Sequence, residues 1–281
     1  MIHIVTDTLA GLPPELAKEH GIPVIPQVVI FGDESYLEGV EIDHATFLQR
    51  LQASKELPKT AAPPPGLFVE VFRERARPGD TVLCIHPSKE LSGTVQSAFT
   101  AAAEFPDADI RIVDTRTIAG PLAALVLQAA RWVEAGLDAD TITDRLQAML
   151  PLARVYFLVD TLEYLQKGGR IGGATAFIGG LLQVKLILEI RDGRVEPLER
   201  ERTRRRAQAR LKELVLAEAA RGPDASLSVL HAGVPEAARA LADELAQEMG
   251  VVDPLIMDLV PAIMVHSGPG ALGVGFFKPA P

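Results

Sequence analysis

Along the first half of the chain, short β-branched apolar runs alternate with longer amphipathic stretches. Ile2–Thr6, Val24–Phe31, Thr81–His86, Ile110–Asp114 and Val155–Asp160 read as strands. Their nearly continuous apolar character suits strands buried on both faces of a parallel sheet. Leu67–Ala76, Ser92–Glu104, Pro121–Ala135 and Ala139–Met149 carry helical spacing. This alternation predicts a largely parallel sheet with helices on its faces. The texture changes after about Asp160. A glycine-rich stretch, Gly168–Gly180, leads into Val184–Leu198, where Asp192-Gly193 between alternating runs predicts a hairpin. A helix over Thr203–Ala220, a strand over Leu227–His231, a helix over Pro235–Met249 and two last strands near Ile263–His266 and Gly273–Phe277 follow. The expected architecture is α/β in two domains: an N-terminal parallel-sheet α/β domain over residues 1–160 and a C-terminal α+β domain over residues 161–281.

Composition narrows the function classes. Of 281 residues, 48% are hydrophobic and 23% charged, which excludes general disorder. Lys+Arg 28 against Asp+Glu 37 gives a net charge of −9, the wrong sign for a chain-wide nucleic-acid binder. Aromatics at 5% also argue against a base-stacking platform. Cys84 is the one cysteine, so no intrachain disulfide can form, and its apolar run makes it a core residue. No apolar run approaches the ~20 residues of a membrane span, and Met1–Asp7 lacks the charged start of a signal peptide. A cytoplasmic protein without stable membrane insertion is expected.

Candidate chemistry is sparse. Gly268-Pro269-Gly270-Ala271-Leu272-Gly273 matches G-x-G-x-x-G, but the chain ends before the helix, strand and acidic residue that a dinucleotide site needs. A tight turn that brings backbone N–H groups to a ligand suits it better. No histidine pairs with Cys or carboxylates at metal-ligand spacing, so neither a metal nor a cofactor is expected. His266, before the glycine turn, could face a cleft. Ser92 begins a helix followed by Gly93 and Thr94, where an N-cap hydroxyl, free N–H groups and the helix dipole together suit an anion. Arg200, Arg202, Arg204, Arg205, Arg206 and Arg210 gather at a helix start, where cations oppose the dipole. That points either to a solvated face or to a docking patch for an acidic partner.

These segments together resemble the DegV family over nearly the whole chain. Asp7-Thr8, Ser92-Gly93-Thr94 with Gln96-Ser97-Ala98, and Asp114-Thr115 carry part of the likeness. The most specific block is Asp160-Thr161-Leu162-Glu163-Tyr164-Leu165-Gln166-Lys167-Gly168-Gly169-Arg170-Ile171, similar to the family's DTLEYL-KGGRI signature. Arg202-Thr203 with Arg206-Ala207, and His266-Ser267-Gly268-Pro269-Gly270, complete it. The resemblance implies two α/β domains holding one long-chain fatty acid, such as palmitate or oleate, in a tunnel between them. It also implies a carrier, acting as a monomer, for a separate bacterial fatty acid kinase that phosphorylates the carboxylate. By motif, the carboxylate would be held by Thr60, Ser92 and His266, with Gly93 and Thr94 beside Ser92. Arg170, Arg202 and Arg206 would help dock the kinase. Two departures stand out. Ala61, Ala62, Pro63 and Pro64 replace the family's usual Ser-Gln-Pro-Ser after that Thr, and Asp114–Pro121 lacks the Ser and Gly pattern common in relatives. Fatty-acid binding without catalysis is the leading expectation. The enzymatic alternative is a serine hydrolase with Ser92 as nucleophile, His266 as base and Asp7 or Asp114 behind it. A DNA-binding regulator using the Arg cluster is the third class, opposed by the net charge.

Overall fold

A computed structural model of the chain describes residues 1–54, 56–177 and 184–280. The end of the Gly168–Gly180 stretch lies outside the described residues. In chain order the N-terminal part contains β1 (Ile2–Asp7), α1 (Pro14–Glu19), β2 (Val24–Ile25), β3 (Val28–Phe31), β4 (Glu34–Leu37), α2 (His44–Ala53), β5 (Lys59–Ala61), α3 (Pro65–Arg75), β6 (Thr81–His86), α4 (Thr94–Ala102), β7 (Asp109–Asp114), α5 (Gly120–Glu134) and α6 (Ala139–Met149). There follow β8 (Ala153–Leu158), α7 (Glu163–Lys167), β9 (Lys185–Arg191), β10 (Arg194–Glu201), α8 (Arg204–Glu218), β11 (Leu227–His231), α9 (Pro235–Met249), β12 (Leu255–Asp258), α10 (Pro261–Ser267) and β13 (Leu272–Phe277).

The fold is mixed α/β. One sheet, ordered β2-β1-β6-β7, is wholly parallel. The second, ordered β10-β9-β8-β13-β11-β12, is antiparallel except for its β11–β12 pair. Strand β8, which precedes residue 160, belongs to this second sheet. The hairpin between β9 and β10 turns at Asp192 (φ 52) and Gly193 (φ 81), the positive φ pair that an Asp-Gly turn provides.

Two expectations need correction. Val24–Phe31 is two strands, not one. Pro26 has no N–H to donate and a fixed φ, so β2 stops at Ile25 and β3 starts a separate antiparallel sheet, ordered β4-β3-β5. Ile263–His266 is helical, within α10. Short apolar runs do not distinguish strand from buried helix by periodicity alone; here Pro261 at the first helical position favours the helix.

Helix α5 is the hinge of the packing. It is buried on nearly all sides, as expected for a helix apolar all round. It contacts β1 and β6 on one side and β8, β11 and β13 on the other. Ile4, Leu83, Leu122, Leu125, Val155, Leu188 and Leu230 therefore belong to one continuous core. Close approach at this joint requires glycine: a Cβ on Gly120 would sit 1.8 Å from Ser228 Oγ. The outer face of the parallel sheet packs Val5, Val82 and Cys84 against Phe68 and Phe72 of α3 and Ala98 and Ala101 of α4. Cys84 is fully buried, and burial pushes its thiol pKa up, as a core role requires. Among the described residues no helix is long and apolar enough to cross a membrane.

Candidate functional site

Open parallel sheets bind ligands beyond the carboxyl ends of their strands, where the strand order reverses. Here that point lies between β1 and β6. Their last residues, Asp7 and His86, meet there: Asp7 Oδ2 lies 2.7 Å from His86 Nδ1, and both side chains are fully buried. Beyond them opens a cavity with about 880 Å³ of atom-free space, its mouth included. Its walls come from the loops after β1 (Leu9), β6 (Leu91, Ser92) and β7 (Ile118, Ala119), from β5 and α10, and from the inner face of the second sheet (Val155, Phe157, Ile190, Val195, Leu230).

The lining is mostly aliphatic. Its side-chain polar groups are Gln27, Thr60, Ser92, Arg170, His266 and Ser267. Thr60 in β5 and His266 in the last turn of α10 join through Thr60 Oγ1 and His266 Nε2, 2.9 Å apart. Arg170 donates from Nε to the Leu91 carbonyl (3.1 Å) and from Nη1 to the Gly168 carbonyl (2.8 Å), next to Ser92. Thr60, Arg170 and His266 also line a second, polar cavity with Lys59, Glu163 and Lys167. Thr60, Arg170 and His266 therefore sit at a junction, with an apolar interior on one side and a charged vestibule on the other.

Burial, reinforced by the Arg170 charge, pushes the His266 pKa down to about 4. At pH 7 the ring is neutral when no anion is bound. Its Nδ1 is buried and has no partner among the described residues. A buried N–H without an acceptor is costlier than a bare lone pair, so the proton belongs on Nε2. Nε2–H then donates to Thr60 Oγ1, and the Thr60 proton is free for the cavity. Gly168 explains part of the DTLEYL-KGGRI block: a Cβ there would fall 2.0 Å from His266 Nδ1. Gly268 does the same for Tyr164, whose ring would lie 2.4 Å from an added Cβ. The glycine turn thus serves packing against α7, not a dinucleotide.

The remaining expected residues are placed differently. Helix α4 begins at Thr94 with Gly93 at its cap, so Ser92 precedes the cap instead of forming it. Ser92 lines the cavity; Gly93 and Thr94 do not, and Thr94 is fully buried behind Ser92, with the two hydroxyl oxygens 2.8 Å apart. Ala61 and Ala62 reach the cavity wall. Arg170, expected at a docking surface, faces the cavity. Arg202 and Arg206 are exposed around the N-cap of α8, whereas Arg204 pairs with Asp160 and with the Gly270 carbonyl. The acid–histidine pair of the hydrolase alternative is not formed: Asp7 bonds His86, and Asp114 accepts from the Arg116 N–H (3.0 Å). Among the described residues no group of three His, Cys, Asp or Glu could hold a metal. Sequence reasoning missed Gln27, whose signal was a lone amide inside the apolar run Val24–Phe31.

Comparison with known proteins accords with this geometry. A family model described as "Uncharacterised protein, DegV family" matches residues 1–279. A DegV domain-containing protein of Halalkalibacterium halodurans is 39% identical over 277 residues, 98% of each chain. The solved structure of a fatty-acid-binding DegV family protein from Thermus thermophilus superposes with a TM-score of 0.89 at 34% identity, covering 99% of both chains. A stearic-acid-binding protein from Eubacterium ventriosum superposes with a TM-score of 0.87 at 26% identity, covering 99% of this chain and 98% of its own. With a whole-length family match, and relatives that align end to end, the chain belongs to the DegV family.

Proposed function

We propose that the protein binds one long-chain fatty acid, its tail in the aliphatic cavity and its carboxylate at the junction formed by Thr60, Ser92 and Arg170. The observation that carries this reading is a mostly aliphatic cavity whose lining includes Ser92 and, at its border with a charged vestibule, Thr60, Arg170 and His266. A 16-carbon tail has about 14 methylenes, and at roughly 0.8 kcal/mol each their burial is worth on the order of 11 kcal/mol gross. Loss of translational and chain freedom removes much of this. The carboxylate needs partners once desolvated. The Thr60 and Ser92 hydroxyls supply donors and the Arg170 guanidinium supplies the opposite charge; His266 acts through Thr60. The relatives named above as binding fatty acids support the same ligand class.

Mass spectrometry of protein purified from a bacterial host tests this. The expected result is a roughly stoichiometric fatty acid in the organic extract, matched by a mass increment on the native protein. A protein that is empty and takes up neither palmitate nor oleate would refute the reading. A fluorophosphonate probe separates it from hydrolysis, because covalent labelling at Ser92 would mark a nucleophile. The finer part of the proposal is that the bound acid is presented to a separate kinase, which meets the exposed Arg202 and Arg206. Charge reversal at both positions is expected to lower kinase-dependent phosphorylation at least severalfold while leaving fatty-acid uptake unchanged. An unchanged phosphorylation rate removes these two residues from the docking surface.

A further inference from the structure

Behind Ser92 lies a chain of buried polar groups that the fatty-acid reading does not use. Asp7 Oδ1 accepts the Leu9 N–H at 2.9 Å and faces Gln27 Nε2 at 3.0 Å. The same Nε2 lies 2.9 Å from Thr94 Oγ1. Thr94 Oγ1 lies 2.8 Å from Ser92 Oγ, and the Thr94 N–H reaches that oxygen at 3.3 Å. Asp7 and Thr94 are fully buried and Gln27 is 2% exposed.

We infer that Gln27 is a positioning residue that sets the direction of the Ser92 hydroxyl, so that its proton points into the cavity. This rests on the fatty-acid reading above. An amide nitrogen carries two donors and no acceptor. Gln27 Nε2 spends one proton on Asp7 and the other on Thr94 Oγ1, so Thr94 accepts from Gln27. Thr94 still has its own proton. If Ser92 donated to Thr94, that proton would be left in a fully buried site without an acceptor, which native interiors avoid. Thr94 therefore donates to Ser92. Ser92 Oγ, already accepting from the Thr94 O–H and N–H, turns its own proton to the cavity it lines. There it meets an acceptor, and a carboxylate is one. Asp7, held by His86 and the Leu9 N–H, is the root that keeps the amide from flipping.

A double-mutant cycle tests this on the delipidated full chain, with palmitate and 1-hexadecanol as ligands. Gln27→Met keeps shape and removes both donors, freeing Ser92 to donate inward. Palmitate affinity is expected to fall about tenfold, the scale of one hydrogen bond to a charged acceptor. Hexadecanol affinity is expected to hold, because its hydroxyl can donate to Ser92 as readily as accept. In a Ser92→Ala background, Gln27→Met should cost nothing further, since the two changes act on one interaction. Thr94→Val removes the inward acceptor together with the inward donor, so Ser92 has only the cavity to donate to. Palmitate affinity should stay close to wild type, and a selective palmitate loss in this variant, which serves if the Gln27 variant does not fold, also overturns the inference. Equal losses for acid and alcohol, or an undiminished loss in the Ser92→Ala background, overturn the inference alone. A wild-type chain that binds neither lipid overturns the fatty-acid reading and this inference with it.

Discussion

Arg170→Ala is expected to weaken palmitate binding on the order of a hundredfold, while palmitate methyl ester loses little. Truncating one partner of a desolvated charge pair costs about 2–5 kcal/mol, because the other charge is left uncompensated. Thr60 and Ser92 offer neutral donors, and His266, its pKa pushed down to about 4, carries no charge at neutral pH when no anion is bound. The Arg170 guanidinium is therefore the cation that the cavity wall offers a carboxylate. Its bonds to the Leu91 and Gly168 carbonyls aim it across the junction. A second consequence follows from the same charge. Removing Arg170 removes one of the two causes that hold the His266 pKa down, so the histidine should titrate at higher pH in the variant. Binding of acid and ester by isothermal titration, with the His266 titration followed by NMR, checks both. If acid and ester lose affinity equally, Arg170 only secures the loop after α7.

Much of this architecture was legible in the sequence because its elements are long, strongly patterned or marked by turn chemistry. Thr81–His86, Leu227–His231 and Pro235–Met249 fall where periodicity puts them. Asp192-Gly193 turns where its φ preferences dictate. The small β4-β3-β5 sheet was hidden because Pro26 interrupts an apolar run without changing its composition. Helix α10 was hidden because seven residues rich in apolar side chains satisfy strand and helix equally. The site followed the same division. Ser92, Thr60 and His266 stand beside glycine or in recognisable blocks, and all three reach the cavity. Their directions were not legible, since Thr60 is oriented by His266 and Ser92 links through Thr94 to Gln27 and Asp7 in turn, groups brought together only by the fold. Gly168 could be placed by motif, but its reason, the approach of the His266 ring, exists only in three dimensions.

Glu38→Gln is expected to change the pH dependence of stability by on the order of 3 kcal/mol. Glu38 follows β4 and is 3% exposed. Its Oε1 accepts the Ala262 N–H at 2.6 Å, tying the small sheet to α10, while Oε2 is buried with no partner among the described residues. Burial pushes its pKa from 4.5 up to about 7, with the Thr8 hydroxyl nearby and the Ala262 N–H opposing the rise and the Asp7 charge adding to it. Because the folded pKa lies above the unfolded one, the folded state holds a proton that the unfolded state releases. The resulting stability is fully present below about pH 4.5 and is lost as the pH rises through about 7. That gap corresponds to on the order of 3 kcal/mol. His266 acts in the opposite sense, since its lowered pKa makes the fold less stable as the pH falls from 6.5 toward about 4. Between about pH 4.5 and 6.5 the two terms oppose each other in the wild type. Subtracting wild-type from variant stability cancels His266, which both share, and isolates Glu38. Urea unfolding of the delipidated proteins, followed through the single tryptophan, Trp132, should show Glu38→Gln gaining on the wild type between pH 4.5 and 8. A difference that stays constant over that range would mean that the carboxyl does not titrate within it. It would then be a fixed hydrogen-bond acceptor for α10, and the helix carrying His266 would be anchored equally well at every pH.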